Sequence, residues 1–435
     1  MVTKRIFVIS SLLSLYTFTY TLGAENIAIK AGNILPIKGS AIEHGTILIK
    51  DGKIEALGRD VVIPSDTRII DAKDKFVMPG LIDAQSRLYV IESELNERGA
   101  ISPELNILDA LDPFIKEHQE VLAQGVTTIY VTPGSNSLLG GRGAVLKLNG
   151  SKTADKMVLK ADVAIKGVIG ISSNNQSSSL ARLEHYASIR EALIATQAYM
   201  QTKRKYEQAL SEYKKKKAEN GEQKKDYKQE KAKKEKPKRP AKPKQNPIYE
   251  ILAKVLRKEI PLQIEAHRVD DILNALRLAD EFDFTLILDK CTEGYMIADE
   301  IDRRKIPVIV GPVSTSFVDM PKLEYRNHDM RNAAILSKKG VKLALGVSGR
   351  DGGSSKFISL AAAMAVANGL DKDVALRAIT LTPAEILGVA SRIGSLESGK
   401  DADIIILSGH PLDTFIQVEM VLIEGETVYE RKASQ

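Results

Sequence analysis

The sequence predicts an α/β protein whose middle alternates strands with helices and whose two ends are all β. Three observations carry that expectation. First, β-prone apolar runs recur through the body at 126–131, 157–165, 262–266, 284–288, 307–310 and 342–347. Helical periodicity lies between them, as at 269–282 and 293–304. Second, short strand patterns separated by turn pairs fill residues 26–75. Third, the same character returns near the other end, at 403–407 and 418–428. Strand–helix repeats with short connections build parallel sheets. The pattern alone leaves a parallel barrel and an open parallel sheet both available.

The first residues read as an export signal. Lys4 and Arg5 precede an apolar run from Ile6 to Leu22, closed by Gly23-Ala24. A signal peptide over 1–24 predicts an exported protein, periplasmic or secreted. The alternative is an uncleaved anchor helix, against which the polar residues within the run and its short length argue. No later run of the sequence is long and apolar enough to cross a bilayer.

The end strands follow from turn chemistry. Ile27-Ala28-Ile29-Lys30 leads to an expected turn at Gly32-Asn33, and Asp51-Gly52 between two strand patterns is a hairpin signal. Glu424-Gly425-Glu426 marks a matching turn near the other end. Two all-β pieces at opposite ends of a chain commonly meet as one small sandwich.

Residues 183–235 break the alternation. They are nearly all strong helix formers, and 236–247 is rich in Pro and Lys. Apolar positions thin out after Tyr213, so the segment predicts a helix to about Tyr213, a fraying charged arm and an extended return. The charge follows this division. Residues 202–244 hold 18 Lys/Arg against 7 Asp/Glu, a net +11 inside a chain of net +6, which leaves a mildly acidic body. An anionic partner is one reading of the arm, and a solvated insertion is the other. No nucleic-acid motif or aromatic interleaving supports specific nucleic-acid recognition.

Composition sets further bounds. A hydrophobic content of 43% with no Trp predicts an aliphatic core. The lone Cys291 can form no internal disulfide and no cysteine metal site, and is expected to be buried.

One stretch carries more than fold. Val77-Met78-Pro79-Gly80-Leu81-Ile82-Asp83-Ala84-Gln85-Ser86-Arg87-Leu88 reads as an apolar strand running into a polar strand end. It resembles the V-x-PG-x-IDxHxH signature of the amidohydrolase superfamily. Gly394-Ser395-Leu396-Glu397-Ser398-Gly399-Lys400-Asp401-Ala402-Asp403 resembles the same family's GSLxxGKxAD turn. Residues 375–388 resemble its last helices, with Thr382 placed to N-cap, Pro383 at the first helical position and Gly388 near the end. The glycine-rich 135–147 resembles a loop of imidazolonepropionase-like members, where glycines would let backbone amides approach a ligand.

The resemblance implies a distorted (β/α)8 TIM barrel over 76–398. It also implies a composite β-sandwich from 25–75 and 399–431, and a basic insertion at about 199–247. It implies a hydrolase acting on non-peptide carbon–nitrogen bonds through a zinc-activated water, with ligands at strand ends.

Position by position, that chemistry is mostly withdrawn. Gln85 and Arg87 stand at the two signature histidines. His267, in a stretch that looks like the fifth strand, is the sole retained ligand. Lys290 replaces the sixth-strand histidine and Ser348 the eighth-strand Asp, with Asp351 as a possible acid in a shifted register. Lys166 ends a plausible strand and matches a bridging Lys only weakly. Arg offers a metal no lone pair, and two cations beside a divalent ion repel it. Zinc is therefore expected by resemblance only. Arg87, Lys290 and His267 are expected either to form a cationic cup for a carboxylate or other anion, or to pair with Glu265, Asp289 or Asp351. A catalytically silent fold of this kind predicts a binding or scaffolding role, with a small molecule or anion at the barrel mouth. A homo-oligomer or an active paralogue would be its protein partner.

Overall fold

Both ends of the chain enter one sheet. The computed structural model describes residues 26–90, 101–135, 137–170, 179–222, 237–313, 324–347, 352–413 and 415–432. The predicted signal peptide lies outside them. Across a seven-stranded sheet the order is Glu426–Glu430, Val418–Ile423, Ile404–Leu407, Arg68–Pro79, Ile27–Ile34, Ile42–Lys50, Lys53–Gly58. The two end pieces thus meet through hydrogen bonds between Ile404–Leu407 and Arg68–Pro79. The Asp51-Gly52 hairpin forms with both residues at positive φ, 50° and 73°, which the right-handed twist of the flanking strands favours. Gly32-Asn33 makes no turn. It sits inside a continuous strand as a bulge, where the Gly32 backbone packs so close that a Cβ would lie 2.4 Å from the Lys73 carbonyl oxygen.

The body holds two further sheets. Six strands run in the order Leu343–Leu345, Val308–Val310, Leu286–Lys290, Leu262–Ala266, Ile165–Val168, Leu139–Arg142, and all but the last pair in parallel. Four run Leu81–Ser86, Val126–Val131, Ala144–Lys147, Val158–Lys160. The chain therefore has mixed α/β sheets, as its alternation predicts. The expected strand 157–165 is two strands, Val158–Lys160 and Ile165–Val168, and between them Gly143 N donates to the Ala164 carbonyl while its own carbonyl accepts from Val163 N. The helix expected at 293–304 begins as a 3-10 turn, Gly294–Ile297, and is α-helical only from Ala298 to Arg303.

The long helix outruns its expected end. Ser179–Glu222 is one helix of 44 residues. Its first half is anchored by buried Ile189, Ala192, Leu193 and Thr196, and by Tyr199 and Lys203 on Glu250. Beyond Tyr213 residues 214–218 are exposed, and the high helix propensity of Lys, Glu and Ala carries the helix on to Glu222. No helix among the described residues is long and apolar enough to cross a membrane.

Local chemistry near the other end differs from expectation at the cap. Thr380, not Thr382, precedes the helix Leu381–Ile386, and its hydroxyl donates to the Leu376 carbonyl at 2.6 Å. Gly388 ends it at φ 70°, as expected. In the neighbouring turn, hydrogen bonds from Lys400, Ser395 and Lys38 hold the Glu397 carboxyl at about 2. A depressed folded pKa stabilises the fold above the ordinary carboxylate value of 4.5, and that contribution disappears as pH falls toward 2. Denaturation of E397Q should therefore show less acid destabilisation than wild type across this window. Solvent screening limits the difference to about 1 kcal/mol.

Candidate functional site

Register places the polar groups. Glu265 and Asp289 are direct partners on adjacent parallel strands, one residue short of the next pair, Ala266 and Lys290. Neighbours in register share a face, so the two buried carboxylates stand side by side near the carboxyl ends of their strands. Lys166 pairs in register with Gln263, two residues below Glu265, and its long side chain reaches both acids. Its Nζ lies 2.8 Å from Glu265 Oε2 and also bonds Asp289 Oδ2. Ser135 Oγ donates to Glu265 Oε2 at 2.7 Å.

The first-strand residues reach the same place from the other sheet. The register of Leu81–Ser86 slips between Asp83 and Ser86. Gln85 there donates its amide to Asp289 Oδ1 and, at 3.2 Å, to the Ile309 carbonyl. Gly311 and Gly346 make room for it. A Cβ on either would lie 2.5 Å from Gln85 Oε1.

His267 is buried and both its nitrogens are engaged. Nδ1 shares a 2.8 Å hydrogen bond with Thr292 Oγ1, and Nε2 lies 3.4 Å from Glu265 Oε1. Tyr325 packs edge-on to the ring at 4.9 Å. Lys290 is different. It ends its strand at φ 67°, followed by Cys291 at φ 49°, a left-handed pair that side chains other than glycine rarely adopt. The turn is held by Lys290 N on Asp289 Oδ1 at 2.9 Å and Cys291 N on the Ala266 carbonyl at 3.0 Å. Cys291 is fully buried, as expected. The Lys290 ammonium makes no hydrogen bond or ion pair among the described residues.

Electrostatics follow from who pairs with whom. Burial opposes charge on Lys166, but Asp289 and Glu265 outweigh it and raise its pKa. Burial likewise opposes the Glu265 carboxylate, yet Lys166, His267 and Lys290 hold it well below the usual range. For Lys290 burial wins, assisted by Lys166 and Arg87 and opposed by Glu265 and Asp289, and the amine falls below the usual lysine value. Burial pushes Asp83 up despite hydrogen bonds from Ser355 and the Gln85 amide.

Of the expected positions, Gln85, Lys290 and His267 come together around Glu265 and Asp289, and Arg87 lies close enough to act on the Lys290 charge. Ser348 and Asp351 lie outside the described residues. Of the cations expected to pair with Glu265, Asp289 or Asp351, His267 lies beside Glu265, and Lys166 bonds both Glu265 and Asp289. Tyr325 carried no sequence signal, and Ser135 showed only as the first residue of the glycine-rich stretch 135–147. The glycines of 135–147 serve packing: a Cβ on Gly143 would meet the Tyr130 ring, and one on Gly141 the Leu105 carbonyl.

Among the described residues the donors do not fit a family-type zinc. Among the described residues no group of three or more His, Cys, Asp or Glu converges on one point. An ammonium already lies between the two carboxylates, and His267 Nε2 lies 3.4 Å from Glu265 Oε1.

A parallel α/β sheet with polar side chains gathered at its carboxyl strand ends defines a ligand-site architecture. Residues 76–428 match the amidohydrolase family, and the chain belongs to it. An amidohydrolase from Thermotoga maritima is similar in structure at a TM-score of 0.79 and 31% identity, over 93% of this chain and 100% of that one. Amidohydrolase tasK of Hapsidospora irregularis is 21% identical over 89% of this chain, which spans 39% of that protein. An imidazolonepropionase of Thermoplasma acidophilum is 36% identical over 70 residues, 15% of this chain and 17% of that protein.

Proposed function

We propose that this chain is an amidohydrolase-family protein that binds a small anion at its strand-end site and lacks the family's metal-dependent hydrolysis. The observation that carries the reading is the Lys166 ammonium bound between the buried Glu265 and Asp289. Lys166 takes both acids, and the buried Lys290 beside them makes no ion pair among the described residues. Buried surplus charge is costly unless a counter-charge arrives, and a carboxylate supplies one through charge-assisted hydrogen bonds.

The site geometry suits a distorted (β/α)8 barrel. Ile82, Ala84, Tyr130 and Val145 of the four-stranded sheet share one buried cluster with Ile287, Ile309 and Ala344 of the six-stranded sheet. Two arcs of one barrel would bury their inner faces that way. The seven-stranded sheet then corresponds to the composite β-sandwich domain, and export follows the leader pattern.

Calorimetry with oxalate tests the proposal. Binding should weaken about tenfold in K290M, the worth of one charge-assisted bond. Absence of binding, or binding indifferent to that substitution, contradicts it.

A second reading, hydrolysis of a non-peptide carbon–nitrogen bond, is favoured by the 31% identity to the Thermotoga maritima amidohydrolase over nearly the whole chain. It requires a metal and a displaced Lys166. Hydantoin and dihydropyrimidine turnover in the presence of added zinc would support it.

A further inference from the structure

We infer that the long helix and the Pro- and Lys-rich return at 237–246 form an ordered basic arm that docks on an anionic lipid surface. The arm shares no residue with the strand-end site.

Its base is fixed. Tyr199 and Lys203 of the helix Ser179–Glu222 both donate to Glu250 of the helix Pro247–Leu256, and the Tyr199 hydroxyl accepts a backbone hydrogen bond from Asn246. The Tyr199 and Tyr249 rings stand 5.7 Å apart. Above this base each limb has a half-buried stripe. On the helix it is Lys203, Tyr206, Leu210 and Tyr213, spaced as one helical face. On the return it is Pro237, Pro240, Pro243 and Asn246, every third residue, which is one face of a polyproline helix of about three residues per turn.

The lengths of the limbs agree. From Asn246 back to Pro237 a polyproline segment covers about 28 Å, at about 3.1 Å per residue. The same distance along the helix from Tyr199, at about 1.5 Å per residue, ends near Lys217. A return laid antiparallel on the helix therefore seats its prolines against the tyrosine stripe and turns the remaining faces outward.

Those outward faces are basic. Lys214 to Lys217 are exposed on the helix, and Lys238, Arg239, Lys242 and Lys244 are exposed on the return. Neither 214–217 nor 237–246 contains an Asp or Glu. None of these cations makes an ion pair among the described residues. Consecutive helix positions fan around the axis, so some of Lys214 to Lys217 face a plane at any roll of the arm.

The chemistry selects a lipid headgroup surface. Binding to single-stranded nucleic acid relies on aromatic side chains open for base stacking, whereas Tyr206 and Tyr213 are half-buried in the stripe. Residues 214–218 and 237–245 hold no Leu, Ile, Val, Met or aromatic side chain that could enter a bilayer, so contact stays with the headgroups. A basic cluster of this size holds a protein to an anionic leaflet, at about fivefold in partition per engaged lysine. The mildly acidic body is repelled by the same surface, which confines contact to the arm.

The test is cosedimentation of the full chain with vesicles of equal phosphatidylglycerol and phosphatidylcholine, against vesicles of phosphatidylcholine alone. Binding to the first and not the second is expected, with release at about 1 M salt, where the screening length falls to about 3 Å. The variant K214Q/K215Q/K216Q/K217Q should partition about a hundredfold more weakly, the worth of three engaged lysines. The variant K238Q/R239Q/K242Q/K244Q should lose a comparable factor. Both replace exposed side chains and should keep the wild-type circular dichroism spectrum. Equal binding to both vesicles, no binding to either, or binding that survives both variants overturns the inference. Single-stranded DNA or polyuronate retained by a chain that ignores the anionic vesicles overturns it in favour of a linear polyanion.

Discussion

Replacing Lys166 by Met is expected to lower stability by about 3–5 kcal/mol, the cost of removing one partner from a buried ion pair. Methionine keeps most of the side chain's volume, so little of the loss comes from packing. The loss comes from Glu265 and Asp289, both almost wholly buried, which would face each other without the intervening ammonium. Ser135 and Gln85 would still donate one bond each, which compensates only part. Urea denaturation of K166M checks the magnitude. Adding E265Q and D289N should recover much of the loss, since neutral amides remove the uncompensated charge. A midpoint unchanged in K166M would show that the ammonium does not bind these acids.

The second large effect is expected at Lys147. Its buried Nζ lies 2.7 Å from Asp401, 3.1 Å from Asp403 and 3.0 Å from Glu424. This joins a strand of the four-stranded sheet to the turn that enters the seven-stranded sheet. K147M should also lower stability by about 3–5 kcal/mol. It falls toward the lower end because Asp401 keeps Lys53 and Arg392. Asp403 has no such reserve, and burial already raises its pKa. The deficit of K147M relative to wild type should therefore shrink as pH falls and Asp403 takes up a proton. A deficit that grows on acidification would place the loss elsewhere.

Much of this architecture was legible from residue pattern. The strands at 126–131 and 262–266 and the helix at 269–282 appear with the predicted bounds, because each is a clean periodic run closed by breakers. The Asp51-Gly52 hairpin was legible for the same local reason. Gly32 was misread because a glycine at a bulge and a glycine at a turn look alike, and only the crossing Lys73 backbone decides between them. The helix boundary near Tyr213 was set by loss of apolar residues, although propensity alone carried the helix nine residues further.

The site was legible where substitution is visible in a motif, at Gln85, Arg87, His267 and Lys290. Its organising residue, Lys166, showed only as a weak match to a bridging Lys. Lys166 lies about a hundred residues from the acids it holds, and nothing in its own neighbourhood announces them. Parallel register brings them together, and register is fixed by the core facing the helices. Tyr325 and Ser135 come from loops, where no periodicity marks a contact.

Metal content tests most directly the proposal that this chain lacks the family's zinc. The full chain should be purified without chelators and measured by elemental analysis, with thermal melts before and after a strong chelator. Zinc far below one per chain and a melting temperature unmoved by chelation are the expected results. Near-stoichiometric zinc that is lost on chelation together with stability, and lost again in His267→Ala, would contradict it.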